Sequence, residues 1–165
     1  MSWRILAEAE FQAANGIYSY RFGTVLECEE SLGGVMIAFP SRLESSLDWS
    51  FGNSKSALPE AAWTDLTQRY KAIAPTLFPD LPADSFYIQN IVVSEKFRLQ
   101  GLGAKLLQAA VSAAKAADCS RIALDVGASN SAVAFYERND FVTTGVSPSK
   151  TAELDSHLRM ERTLR

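Results

Sequence analysis

The run Ser85-Phe86-Tyr87-Ile88-Gln89-Asn90-Ile91-Val92-Val93-Ser94-Glu95-Lys96-Phe97-Arg98-Leu99-Gln100-Gly101-Leu102-Gly103-Ala104-Lys105 reads as strand, turn and helix. Residues 85–93 are rich in aromatic and β-branched side chains, which suit a pleated strand. Apolar groups fall on both faces, as in a central strand covered on both sides. A polar link follows, and a helix opens on two glycines and runs to about Ala117. Its Leu102, Leu106, Ala109, Ala110, Ala113 and Ala117 form a stripe of mostly small residues, which lets a helix lie close against a sheet. The helix start offers free backbone N–H groups and the positive end of the macrodipole. Glycine there lets a ligand reach the backbone without meeting a Cβ. Together these features suit a pyrophosphate.

Three glycine patterns compete for this turn. A phosphate-binding loop of the form G-x-x-x-x-G-K-[ST] fails, because Ala104 precedes Lys105 and Leu106 follows it. The dinucleotide pattern G-x-G-x-x-G fails at Leu106. The pattern [RQ]-x-x-G-x-[GA] fits Arg98-Leu99-Gln100-Gly101-Leu102-Gly103.

Downstream, residues 120–126 form a strand and residues 131–138 a short helix ending at Asn139-Asp140. Residues 141–146 and 157–164 form two closing strands. Upstream, Trp3, Leu6, Ala9 and Ala13 give a helical period over residues 3–14, with Ser2 as cap and Asn15-Gly16 as stop. Residues 23–29 and 35–39 are expected to pair as a hairpin turned at Ser31-Leu32-Gly33-Gly34. Residues 41–84 carry prolines at 59, 75, 79 and 82. Between Pro59 and Pro75 one helix is expected, with Trp63, Leu66, Tyr70 and Ile73 on one face and Pro75 ending it. Hairpins mixed with β-α-β crossovers predict an α/β (α+β) fold with a mixed, mostly antiparallel central sheet and flanking helices. A single domain over residues 1–165, with an insertion at 41–84, is expected.

The run 85–107 resembles the coenzyme A-binding strand, turn and helix of the GNAT superfamily of N-acetyltransferases. Ala132-Val133-Ala134-Phe135-Tyr136-Glu137-Arg138-Asn139-Asp140-Phe141 resembles that superfamily's second signature, A-x-x-[FL]-Y-x-x-x-G-F. The resemblance implies an acetyl-CoA-dependent N-acetyltransferase whose N-terminal first strand is shortened or missing. It implies that the backbone N–H groups of Arg98, Leu99, Gln100, Gly101, Leu102, Gly103 and Ala104 hold the pyrophosphate of acetyl-CoA. It places the strand backbone at Ile91, Val92 and Val93 along the pantetheine arm, with Asn130 and Ala134 on the arm's far side. It makes Tyr136 the acid that protonates the leaving thiolate. Leu99 stands where many members have glycine. Asp118 and Asp140 stand where helix-ending glycines are common, and aspartate tolerates the left-handed conformation such ends require. The motif asparagine falls one place late, at Asn130 after Ser129.

Acetyl transfer to an amine also needs a proton acceptor. Many members carry a carboxylate on the strand before the glycine turn, and here Gln89 and Asn90 stand instead. A water relay, a carboxylate from elsewhere or His157 has to serve. Glu44, Asp48 and Trp49, in the insertion, are candidates to meet a cationic acceptor, with Phe51, Trp63 and Tyr70 as an aromatic supply. The favoured acceptor is a small-molecule primary amine. A non-catalytic acyl-CoA-binding module and a protein lysine or N-terminal acetyltransferase are the alternatives, and a nucleotide hydrolase is more remote.

Composition narrows the surroundings. The 165 residues are 47% hydrophobic and 21% charged, ordinary for a globular chain. With 16 Lys+Arg against 19 Asp+Glu the net charge is −3. No basic run favours nucleic acid or an anionic membrane. Glu8 and Glu10 interrupt the N-terminal segment, so neither a signal peptide nor a membrane helix is read there. Cys28 and Cys119 have no metal-binding spacing and read as thiols of a reducing, cytoplasmic setting. With one histidine, no metal is expected. A homodimer is left open.

Overall fold

The computed structural model describes residues 3–50, 52–77, 80–147 and 155–164. Ser2, Phe51 and Pro79, and the side chains of Trp3, Leu6, Ile73 and Pro75, lie outside what it describes. Helix α1 spans Trp3–Gln12, strand β1 Gly23–Cys28 and strand β2 Ser31–Pro40. Two 3₁₀ turns, Ser41–Ser46 and Gly52–Ala57, lead to helix α2, Glu60–Leu77. Strand β3, Ser85–Val93, is followed by helix α3, Leu102–Ala116, and strand β4, Arg121–Gly127. Helix α4, Val133–Glu137, and strands β5, Val142–Ser147, and β6, His157–Thr163, complete the order. Among the described residues no strand precedes α1, and no helix is long and apolar enough to cross a membrane.

The six strands form one sheet in the order β1-β2-β3-β4-β6-β5. Only β3 and β4 run parallel; the other neighbours are antiparallel. A parallel pair needs a crossover, and α3 supplies it. One sheet face meets α3: Met36, Phe86, Ile88, Ile122, Leu124 and Met160 pack with Leu106, Leu107, Ala110 and Ala114. The opposite face holds Phe39, Tyr87 and Ala123, with Ile17 and Leu81 over them. The two-residue period of strands separates these sets.

Two expectations are corrected. The hairpin turns at Glu29 and Glu30, both left-handed at φ 50 and 56, and Ser31–Pro40 is all strand. Gly33 and Gly34 are there for clearance. A Cβ on Gly34 would lie 2.9 Å from the Val92 carbonyl and 3.0 Å from Leu106 Cδ1, while one on Gly33 would lie 3.0 Å from Leu102 Cδ2. The tandem glycines thus let α3 settle on β2. Likewise Pro75 does not end α2, which continues to Leu77. A proline this close to a helix end sacrifices only one hydrogen bond before the helix would stop.

The expected left-handed ends are present at Asp118 (φ 54) and Asp140 (φ 65). At Asp118 the N–H of Cys119 bonds Ala114 O at 2.9 Å and that of Asp118 bonds Lys115 O at 3.1 Å. This is a Schellman close.

Candidate active site

Strands β3 and β4 part company halfway along. Their ladder runs from Ser85↔Arg121 to Ile88↔Leu124 and stops there. The cause lies in β3. Its pairing with β2 jumps from Ala38↔Ile88 to Ile37↔Asn90, so Gln89 is an extra residue, a β-bulge. A bulge bends its strand and raises the local twist, which carries the rest of β3 away from β4. A cleft of about 250 Å³ opens in the gap. Gln89, Asn90 and Ile91 line it from β3, Asp125 from β4, and Asn130, Tyr136 and His157 from beyond β4.

At the turn after β3, Gly101 is the N-cap of α3 and is left-handed at φ 80. A Cβ there would meet nothing within 4 Å, so conformation rather than crowding within the chain requires glycine. Leu99 is also left-handed, at φ 61, and its side chain is wholly exposed. The N–H groups of Leu102, Gly103 and Ala104 open the helix and have no intrahelical acceptor. The Arg98 N–H is committed to Glu95 O at 3.2 Å, so it is withdrawn from the expected anion-binding set. Gly103 seats α4 against α3, since its Cβ would stand 3.0 Å from Phe135 Cζ. A cradle of free N–H groups at one end of a split between parallel strands fits a long ligand with an anionic head.

The family model described as an acetyltransferase (GNAT) domain matches residues 78–164, more than half of the chain. The chain belongs to the GNAT acetyltransferase family. It is an acetyl-CoA-dependent N-acetyltransferase, and its sheet is the mixed sheet of that fold. Among solved structures it resembles one described as an acetyltransferase, with TM-score 0.66 and 20% identity over 97% of this chain and 79% of the other. It also resembles an N-acetyltransferase from Staphylococcus aureus Mu50, with TM-score 0.60 and 18% identity over 89% and 73%. A third is the Bacillus subtilis acetyltransferase in complex with CoA, with TM-score 0.55 and 13% identity over 87% and 76%. No curated protein matches the sequence.

Within the acetyltransferase, Tyr136 is 7% exposed, with its ring between Phe135 and Phe141. Burial pushes its phenol above the ordinary value, so it stays protonated at neutral pH. Asn130 lines the cleft, but its Oδ1 accepts the Ala132 N–H at 2.8 Å; only its amide N–H groups are left for a ligand. Ser129 instead locks the loop, giving its N–H and Oγ–H to Asp155 Oδ2, both at 2.7 Å. These bonds hold the Asp155 carboxyl below its ordinary range. Of the strand residues, Ile91 lines the cleft and Val93 packs toward α3, while Val92 is 57% exposed. Ala134 is exposed on α4 and is not among the residues lining the cleft.

The insertion residues are more structural than their sequence suggests. Trp49 donates its indole N–H to Glu44 O at 3.1 Å and packs edge-on against Phe39. Asp48 bridges to Gly16, and its Oδ1 accepts both the N–H and the Oγ–H of Ser50.

Two residues of this face, Tyr18 and Glu10, are not among the sequence's candidates. Tyr18 receives the Gln89 Nε2–H on its hydroxyl at 3.4 Å. Burial raises its phenol; the Gln89 hydrogen bond works against this, and the nearby Glu10 charge adds to it. Glu10 itself is 1% exposed on α1. Burial raises the Tyr70 phenol on α2, and the charges of Tyr18 and Asp48 add to this. Gln89 Oε1 is buried with no hydrogen-bond partner. Sequence periodicity shows only that Glu10 interrupts an apolar pattern, and its burial is a fact of the tertiary structure.

Proposed function

We propose that the acceptor is the primary amine of a small molecule, and that acetyl-CoA lies from the turn 99–104 into the cleft between β3 and β4. The carrying observation is Gln89 Oε1, a buried acceptor without a donor, at the bulge that lines the cleft and whose side chain also reaches Tyr18. Leaving such a group unsatisfied costs about 1–3 kcal/mol, and an amine N–H offsets that cost. Glu10 and Asp48 give the face negative charge, which draws a protonated amine. In this reading α2 and the rest of the insertion 41–84 form the wall over the acceptor.

Bound acetyl-CoA supplies an acetyl group activated as a thioester. The N–H groups of residues 99–104 hold its pyrophosphate, and the backbone near Val93 polarises the carbonyl oxygen. Gln89 Oε1 orients the amine. The N–C bond forms as the C–S bond breaks, and Tyr136 Oη gives its proton to the departing sulfur. The protonated amine gives up two protons. One leaves before attack; neither Gln89 nor Asn90 accepts it, so a water relay to a carboxylate of this face or to His157 removes it. The second leaves nitrogen after attack and restores Tyr136 through solvent.

The test follows thiol release with cationic amines, neutral amines and lysine peptides. Asp48→Asn keeps the oxygen that Ser50 needs and removes the charge. The expected result is a roughly 10-fold fall in kcat/KM for the cationic amine and none for the neutral one. Faster turnover of peptides than of any small amine would move the acceptor to protein.

A further inference from the structure

One polar network in the sheet plays no part in the chemistry above. Arg159, on β6, sits directly opposite Asp125 in the β4–β6 ladder. It grips Asp125 with both arms of its fork, Nε to Oδ1 and Nη2 to Oδ2, the latter at 2.8 Å. Its Nη1 donates to Asp80 O at 2.8 Å. Tyr87, on β3, donates its hydroxyl to Asp125 Oδ2 at 3.0 Å, and the guanidinium lies 5.8 Å from that ring's centre. The Asp125 and Arg159 side chains are only 8% and 10% exposed.

The placement is informative. The parallel ladder ends at Leu124, and Asp125 is the first β4 residue beyond it. The Tyr87 hydroxyl therefore spans from β3 to β4 at the fork of the split, where backbone bonds no longer do. Arg159 fixes the β4 side of the fork to β6 and to the chain entering β3. A buried ion pair of this kind is a weak source of net stability, because desolvation consumes most of its attraction. Its geometry is nevertheless rigid, being bidentate and fully hydrogen-bonded.

We propose that Tyr87, Asp125 and Arg159 are positioning residues that set the opening angle of the β3–β4 split and thereby the fit of the pantetheine arm. The proposal rests on the assignment of the cleft to that arm. The network touches no reacting atom. It acts through the backbone of β4, holding the strand at the spacing that the arm bridges.

The experiment compares acetyl-CoA with 3′-phosphoadenosine 5′-diphosphate, which is coenzyme A without the pantetheine arm, by titration calorimetry. Tyr87→Phe removes only the hydroxyl that crosses the split. It is expected to weaken acetyl-CoA about 5-fold, the effect of one hydrogen bond, and to leave the armless nucleotide unchanged. Asp125→Asn, which keeps the shape but undoes the charge pairing, is expected to lose more on the same ligand. If it does not fold, Tyr87→Phe alone decides. Equal loss on both ligands, or loss on neither, overturns the proposal. Gly101→Leu in the same titration separates the two assignments. If it binds both ligands as wild type does, the cofactor does not lie on this turn and the site reading fails. If it loses both while Tyr87→Phe changes neither, only the positioning role fails.

Discussion

Tyr136 carries the heaviest demand of any single side chain. Its ring is clamped by Phe135 and Phe141, and its buried phenol holds its proton above the ordinary value. In the proposed reaction Tyr136 is the acid that protonates sulfur, and its buried phenol is protonated at working pH, as that role requires. Tyr136→Phe keeps the clamp and removes the proton. Turnover is expected to fall by ~10²-fold, the scale of a lost general acid, while acetyl-CoA affinity stays within about 3-fold. Steady-state kinetics with calorimetry checks both, and full turnover would assign protonation of the sulfur to solvent. Gly101 and Leu99 show the same economy in the backbone. Both are left-handed, yet only glycine adopts that region without a Cβ penalty, so Leu99 carries strain that its neighbour avoids.

At the scale of elements, the pairing of α3 with β2 decides how near the glycine turn can come to the split. Gly33 and Gly34 supply the clearance, and Gly33 is itself a bulge between Leu26↔Gly34 and Glu27↔Leu32. Ser94 N–H then bonds Gly33 O at 2.9 Å, tying the exit of β3 to the same spot. Gly34→Ala forces a Cβ to within 2.9 Å of the Val92 carbonyl, an atom of the backbone that cannot step aside. Overpacking of this kind costs about 1–3 kcal/mol, and urea unfolding is expected to show a loss in that range. No loss would mean that α3 can ride outward freely.

Across the whole molecule, four tyrosines have raised phenols, in each case mainly through burial: Tyr18, Tyr70, Tyr87 and Tyr136. Each binds its proton more tightly folded than unfolded. Their contribution to stability is therefore complete below the unfolded value of about 10 and is lost as pH rises through the folded values. The melting temperature is expected to hold up to about pH 9.5 and to drop steeply above it. The tyrosinate absorbance of these four should rise in step with unfolding. Ionisation of these phenols in the still-folded protein near pH 10 would contradict the burial argument.

Local chemistry determined most of the fold. The β-rich run 85–93, the small-residue stripe of α3 and the two GNAT signatures place the central strand, the crossover helix and the glycine turn, because each depends on spacing within one element. Asp118 and Asp140 as left-handed ends were legible for the same reason. The hairpin was misread at Gly33-Gly34 because glycine serves turns and close packing alike, and only the approach of α3 tells them apart. Pro75 misled because a helix tolerates the loss of one bond near its end. The split itself, the burial of Glu10, the Gln89 contact with Tyr18 and the Tyr87–Asp125–Arg159 network were decided by tertiary structure alone. Each joins residues on separate elements, with Tyr87 and Asp125 38 positions apart and Asp125 and Arg159 34 apart, and strand register alone sets that distance in space.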